Sequence, residues 1–168
     1  KMEYSFDKFI DEVNKIGINL SEKQLKQFCM YYDMLVEKNK VMNLTGITEW
    51  DEVLEKHFLD SISLIRVYDL NQNVSLMDMG TGAGFPGIVL KIMFPSLKVT
   101  LIESNGKKCN FLNIVKEKLN LNIITNVVSD IDGEYSVSYE FDLGTLSNEL
   151  KEKYEFEELF HNQLKNHH

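Results

Sequence analysis

Apolar residues recur along the first 70 residues at the three- and four-residue spacing of amphipathic helices. Ser21 with Gln24 forms a capping-box pattern that opens one of these helices, and Thr48 with Asp51 resembles a second cap. A polar break follows around residue 71. The pattern therefore predicts a helical N-terminal cap over residues 1–70.

From residue 71 onward, short apolar runs alternate with helical segments. The predicted elements are strands that end at Met79, Glu103 and Asp130, and helices over 88–94 and 106–119. Strands that alternate with helices form a parallel sheet with right-handed crossovers. We therefore expect an α/β, Rossmann-like domain over residues 71–146.

The pattern weakens beyond residue 130. Residues 135–143 alternate as a strand does, and residues 147–168 form an acidic helical tail. A complete doubly wound sheet of the dinucleotide-binding type has six strands, whereas only four can be placed here. The C-terminal strands are therefore expected to be missing or replaced.

Three alternating glycines, Gly80, Gly82 and Gly84, follow the first strand directly. Glycine permits the backbone angles of a tight turn and lets a ligand approach the bare chain closely. Pro86 suits the first turn of the next helix, where a missing amide hydrogen costs nothing. These features predict a binding turn at the carboxyl end of the first strand.

Two cofactor classes fit this turn. Gly82, Gly84 and Gly87 have the spacing of dinucleotide-binding loops, whereas the triplet that starts at Gly80 has the spacing found in S-adenosylmethionine enzymes. Asp78 favours the second class, because a carboxylate would repel a pyrophosphate. It can instead accept a hydrogen bond from the ammonium group of a methionine moiety, or from a water molecule bound to that moiety.

A second acidic residue, Glu103, stands at the tip of the second strand, nineteen residues past Gly84. A carboxylate at this spacing is the expected hydrogen-bond acceptor for a ribose diol. A small dehydrogenase would use the same contact, but Asp78 argues against that alternative.

Charge is distributed unevenly along the chain. The net charge is −8; residues 1–129 hold 15 Lys and Arg against 16 Asp and Glu, whereas residues 130–168 hold 3 Lys against 10 Asp and Glu. Phosphate neutralisation supplies much of the affinity of nucleic-acid binders. The acidic tail therefore counts against RNA binding.

No apolar run reaches the roughly 18 residues of a membrane span, and the N-terminal residues lack the apolar core of a signal peptide. A cytoplasmic protein without a membrane partner is expected. Cys29 and Cys109 lie in apolar helical patterns away from other metal-ligating residues, so we expect reduced core thiols and no metal site.

Several segments together resemble one known family. They are Asn43-Leu44-Thr45, Glu55-x-His57-Phe58-Leu59-Asp60-Ser61, Asp78 to Gly87, Glu103-Ser104 with Lys107-Lys108, and Phe111-Leu112. Over about residues 5–121 the chain is similar to the GidB/RsmG family of bacterial 16S ribosomal RNA guanine-N7 methyltransferases. The resemblance implies a monomeric S-adenosylmethionine-dependent enzyme whose substrate is 16S rRNA or the small ribosomal subunit.

The resemblance also implies site residues. Those implied to bind S-adenosyl-L-methionine are Asp78, Gly80, Thr81, Gly82, Ala83, Gly84, Phe85, Glu103, Ser104 and Asp130. Asn43, Thr45, His57 and Asp60 are implied to line the entrance. Guanine N7 carries a free lone pair and no proton, so no general base is required and orientation of the reactants supplies most of the rate.

Two alternatives stay open. His57 and Asp60 are three residues apart on one helical face, and they also suit a buried polar pair that ties the cap to the sheet. Beyond about residue 121 the chain departs from the family pattern and keeps only Asp130 as an acceptor for the adenine amino group. A catalytically silent S-adenosylmethionine-binding protein is therefore the rival function.

Overall fold

Helices fill the N-terminal part of the chain and a sheet follows them. The computed structural model describes residues 4–66, 68–131 and 134–137, with side chains up to residue 125. The N-terminal elements are α1 (Asp7–Lys15), α2 (Glu22–Met42), α3 (Trp50–Val53), a π-helical stretch (Leu54–Leu59), α4 (Asp60–Ile62) and a 3-10 turn (Ser63–Arg66). The later elements are β1 (Ser75–Met79), α5 (Gly87–Met93), β2 (Lys98–Glu103), α6 (Gly106–Lys118), β3 (Ile123–Ile131) and β4 (Glu134–Val137).

The sheet has the order β1-β2-β3-β4. The first three strands are parallel, with Asp78 opposite Leu101 and Glu103 opposite Val127. This confirms the predicted α/β, Rossmann-like fold with a helical N-terminus. β4 runs antiparallel to β3. It starts one residue before the strand predicted over residues 135–143. The rest of that predicted strand and the predicted tail over residues 147–168 lie outside the described residues.

Cap predictions succeeded at one helix and failed at another. At the start of α2 the backbone amide of Gln24 donates to Ser21 Oγ at 3.2 Å, and the backbone amide of Ser21 donates to Gln24 Oε1 at 2.9 Å. These two hydrogen bonds confirm the capping box. The Thr48 cap was wrong, because α3 begins after Glu49 without a side-chain cap. The Thr48 carbonyl instead accepts a hydrogen bond from the Tyr32 hydroxyl at 2.6 Å.

Helix α2 is fastened to the α/β unit by two glutamine side chains. Gln24 Nε2 donates to the carbonyls of Ile92 and Met93 at the end of α5, at 2.9 and 3.1 Å. Gln27, which is buried, donates to the Leu119 carbonyl at 2.8 Å. The last carbonyls of a helix lack intrahelical partners. One face of α2 therefore supplies hydrogen-bond donors to the last carbonyls of α5 and α6.

One aromatic cluster packs the N-terminal helices against one another. Phe9, Phe28, Tyr31 and Phe58 are fully buried and their rings contact one another. Trp50 packs edge-on against Tyr32 at 4.7 Å between ring centroids. The aromatic residues of the cap therefore serve packing, where such pairs contribute about 0.5–1.5 kcal/mol beyond area burial.

Cys109 is buried, as expected for a core thiol, whereas Cys29 is only half-buried. None of the described helices combines the length and the apolar character that a membrane crossing needs. Within the described residues, no group of three or more His, Cys, Asp or Glu side chains is placed to hold a metal ion.

Candidate cofactor site

The glycine loop over residues 80–86 leaves the end of β1 and turns back across β2. The amides of Gly80 and Thr81 both donate to the Ile102 carbonyl, at 2.8 and 3.1 Å. Gly80, Gly82 and Gly84 have φ angles of +70°, +59° and +103°. Side chains disfavour this left-handed region, so glycine is favoured at all three predicted positions.

Asp78 closes this loop on itself. Its Oδ2 accepts hydrogen bonds from the Thr81 hydroxyl at 2.6 Å and from the Gly87 amide at 2.9 Å. Burial raises the pKa of the Asp78 carboxyl, and these two bonds partly oppose the shift. Within the described residues, both of these hydrogen bonds reach Oδ2 and none reaches Oδ1.

Glu103 holds the loop from the neighbouring strand. Its Oε2 accepts from the Gly82 amide at 2.8 Å, and its Oε1 accepts from the Asn105 amide at 3.0 Å. The side chain is only 7% exposed. Ser104 is exposed, with its hydroxyl 3.5 Å from Glu103 Oε1. The two predicted carboxylates thus meet at one loop, and both already make protein contacts there.

The four glycines of the stretch divide into two classes. A Cβ added to Gly80 or Gly82 would meet nothing within 4 Å. A Cβ on Gly84 would lie 2.5 Å from Ile88 Cδ1, and a Cβ on Gly87 would lie 2.4 Å from Leu101 Cδ2. Open space for a ligand therefore borders Gly80 and Gly82, whereas the other two glycines are required by close packing.

Phe85 links the loop to the helical cap. Its ring stacks on the His57 imidazole, and His57 Nε2 lies 2.8 Å from Thr45 Oγ1. A cavity of about 500 Å³ opens beside this stack, between the π-helical stretch and the loop. It is lined by Lys56, His57, Asp60, Ser61, Ser63, Leu64, Phe85 and Pro86. A π-helical turn is rare and is often found at functional sites.

The four residues predicted to line the entrance differ in their exposure and in their hydrogen bonds. Thr45 and His57 form the pair just described. Asp60 is exposed and makes no hydrogen bond to His57, so the alternative of a buried His57–Asp60 pair was wrong. Asn43 is exposed and ends α2 in a left-handed conformation with φ of +55°. Its placement is that of a helix C-cap.

Two features of the site differ from the sequence predictions or fall outside them. Pro86 is the N-cap residue of α5 and precedes its first turn, because the helix starts at Gly87 with an amide bonded to Asp78. Asn105, not singled out from the sequence, caps α6 by accepting from the amides of Lys107 and Lys108. The backbone of Asp130 lies in β3, and its side chain lies outside what the structure describes.

Comparison with known proteins identifies the family. The model of the GidB family, described as rRNA small subunit methyltransferase G, matches residues 24–166. The chain belongs to the GidB family. The family match extends past residue 121, where the recognised motifs end, and it includes the whole glycine loop and Glu103.

Several curated relatives support membership in the GidB family. The ribosomal RNA small subunit methyltransferase G of Lachnoclostridium phytofermentans is 53% identical over 117 residues, which are 70% of this chain and 48% of that protein. Its counterpart in Bacillus cytotoxicus is 50% identical over 70% of this chain and 49% of its own. That of Lactococcus lactis is 50% identical over 71% of this chain and 50% of its own. The chain thus spans about half the length of the curated relatives it matches.

Proposed function

We propose that this chain binds S-adenosyl-L-methionine at the glycine loop and that the protein transfers its methyl group to N7 of a guanine in 16S rRNA of the small ribosomal subunit. The observation that carries the proposal is the open side of Gly80 and Gly82, in a loop that two buried carboxylates at adjacent strand ends hold by hydrogen bonds. The names of the relatives, all rRNA methyltransferases, support the reaction class.

In this proposal the chain's own residues bind and orient the cofactor. Asp78 Oδ1 would accept a hydrogen bond from the methionine ammonium, and Glu103 would accept hydrogen bonds from the ribose hydroxyls. The open backbone of Gly80 and Gly82 would border the ligand, and Thr81, Ala83, Gly84 and Phe85 complete the loop that would hold it. Ser104 and Asp130 are proposed near the nucleoside end.

When bound, S-adenosylmethionine supplies an electrophilic methyl group on its sulfonium. Guanine N7 needs no deprotonation, so the contribution of the protein is alignment of the two reactants and exclusion of water. The cavity beside His57 and Phe85 adjoins the loop and has room for part of a nucleotide. A ribosomal substrate places the protein in the cytoplasm.

The experiment is methyl transfer from labelled S-adenosylmethionine to small ribosomal subunits that lack the modification. Wild-type protein is compared with Gly82→Val, whose side chain would fill the open side of the loop. Transfer by the wild type alone, located at a guanine N7, supports the proposal. Cofactor binding without transfer would show the rival, catalytically silent S-adenosylmethionine-binding protein, and binding of NAD in place of S-adenosylmethionine would overturn the cofactor assignment.

A further inference from the structure

Tyr31 lies on α2, outside the glycine loop and outside every segment that carries the family resemblance. Its side chain is fully buried, and its hydroxyl donates a hydrogen bond to the Ala83 carbonyl at 2.5 Å. Fifty-two positions along the chain separate the two residues. The helical part therefore makes a direct polar contact with the backbone of the loop.

The ring of Tyr31 has little freedom to move. It stacks on Phe58, with centroids 5.9 Å apart and 14° between the planes, and it also contacts the Phe85 ring at 5.5 Å. Its oxygen fills the space next to Gly84, where an added Cβ would lie only 2.7 Å away. The hydroxyl is thus fixed against the loop by packing from both sides.

The loop is held at two successive residues from two different directions. Glu103 on the sheet accepts from the Gly82 amide, and Tyr31 on the helix donates to the Ala83 carbonyl. Burial raises the pKa of Tyr31 well above its usual value, and the charge of Asp78 raises it further. The hydroxyl therefore remains a donor at neutral pH.

We infer that Tyr31 is a positioning residue for the cofactor: its bond to Ala83 fixes the orientation of the peptide groups in the glycine loop, so that they are arranged for the ligand before it binds. The inference rests on the proposed function, since it names a determinant of affinity at that same site. Pre-arranged groups bind more tightly because less ordering is required on binding.

The test compares Tyr31→Phe with Tyr32→Phe. Tyr32 is the next residue on the same helix, is 6% exposed, and its hydroxyl donates to the Thr48 carbonyl at 2.6 Å, away from the loop. Each variant loses one hydroxyl and one hydrogen bond to a backbone carbonyl. A general loss of stability would therefore appear in both variants.

Two quantities are measured on the full chain: the dissociation constant for S-adenosylmethionine, and the hydrogen exchange rates of the amides over residues 80–88 without ligand. In Tyr31→Phe we expect the dissociation constant to rise about 3- to 10-fold, as the loss of one hydrogen bond implies, and the loop amides to exchange faster than in wild type. Tyr32→Phe should match wild type in both quantities.

The inference is overturned if the loop amides of Tyr31→Phe exchange at the rates of Tyr32→Phe, whether or not the cofactor binds. It is also overturned if wild type binds and the two variants bind equally well. If no protein binds S-adenosylmethionine while exchange rises only in Tyr31→Phe, the proposed function fails and the control of the loop by Tyr31 stands. Because exchange is read residue by residue, a partly destabilised Tyr31→Phe protein remains informative.

Discussion

The imidazole of His57 lies flat against the phenyl ring of Phe85, with centroids 4.4 Å apart and 12° between the ring planes. His57 belongs to the π-helical stretch of the cap, and Phe85 follows the last glycine of the loop. Since His57 Nε2 also contacts Thr45 Oγ1 at 2.8 Å, the imidazole joins three separate segments of the chain. The helical part is thus joined to the glycine loop through this stack.

His57→Ala should destabilise the protein by about 1–3 kcal/mol, because it removes the ring stack and leaves a gap against Phe85. Lys56→Ala is the matched control on the same helical stretch, since Lys56 is exposed and pairs with Glu52 at the surface. Urea unfolding measures both. Equal midpoints for the two variants would show that the stack contributes nothing to stability.

Stability should fall as the pH is lowered, in part because of His57. Burial lowers the pKa of His57 from its usual 6.5, while the charge of Asp60 partly opposes the shift. The unfolded chain therefore binds a proton at higher pH than the folded chain does, and the unfolding free energy rises with pH in that window. The stability that neutral His57 confers is fully present above about pH 6.5 and is lost as the pH falls through the lower folded pKa.

His57→Phe keeps a ring on Phe85 and does not titrate. Urea unfolding of wild type and His57→Phe between about pH 8 and 5 isolates the contribution of the imidazole, because the raised pKa of Asp78 is common to both proteins. The wild type should lose stability more steeply than the variant below about pH 6.5. Parallel curves for the two proteins would refute the assignment to His57.

Asp78→Ala should cost more stability than any exposed carboxylate of the chain. It leaves the buried Thr81 hydroxyl and the Gly87 amide without their acceptor, at about 1–3 kcal/mol for each unpaired group. Asp60→Ala is the control, since an exposed substitution usually stays within about 0.5 kcal/mol. Thermal unfolding compares them, and equal melting temperatures would contradict a role of Asp78 in closing the loop.

The two classes of glycine should separate stability from binding. In Gly84→Ala the new Cβ would overlap Ile88 and the Tyr31 hydroxyl, so unfolding should become markedly easier. In Gly82→Ala the new Cβ meets open space, and only backbone strain of about 1–2 kcal/mol is added. Circular-dichroism melts and cofactor titration are run on both variants. A melting temperature of Gly82→Ala at or below that of Gly84→Ala would show that Gly82 serves packing.

The sequence correctly predicted those features that depend on neighbouring residues alone. The Ser21 and Gln24 capping box and the strand Lys98–Glu103 are both present as predicted. The cap at Thr48 failed because tertiary contacts take its carbonyl and shift the helix start to Trp50. No local sequence pattern predicted the π-helical stretch at Leu54–Leu59.

The sequence predicted which residues lie together at the glycine loop, but it did not predict the contacts they make there. Asp78, the glycines and Glu103 are brought to one loop, as parallel strand order requires. That Asp78 would bond to Gly87, nine positions away, depends on the three-dimensional path of the loop. Tyr31 carries no local sequence signal, whereas Asn105 before the helix at Gly106 fits the N-cap rule.

The central claim is that the glycine loop holds S-adenosylmethionine, and calorimetric titration of the chain with S-adenosylmethionine, its demethylated product and NAD tests it most directly. We predict binding of the first two at one site per chain, no binding of NAD, and a loss of about 1–3 kcal/mol of affinity in Glu103→Ala. Binding of NAD in preference, or unchanged S-adenosylmethionine affinity in Glu103→Ala, would contradict the assignment of this loop.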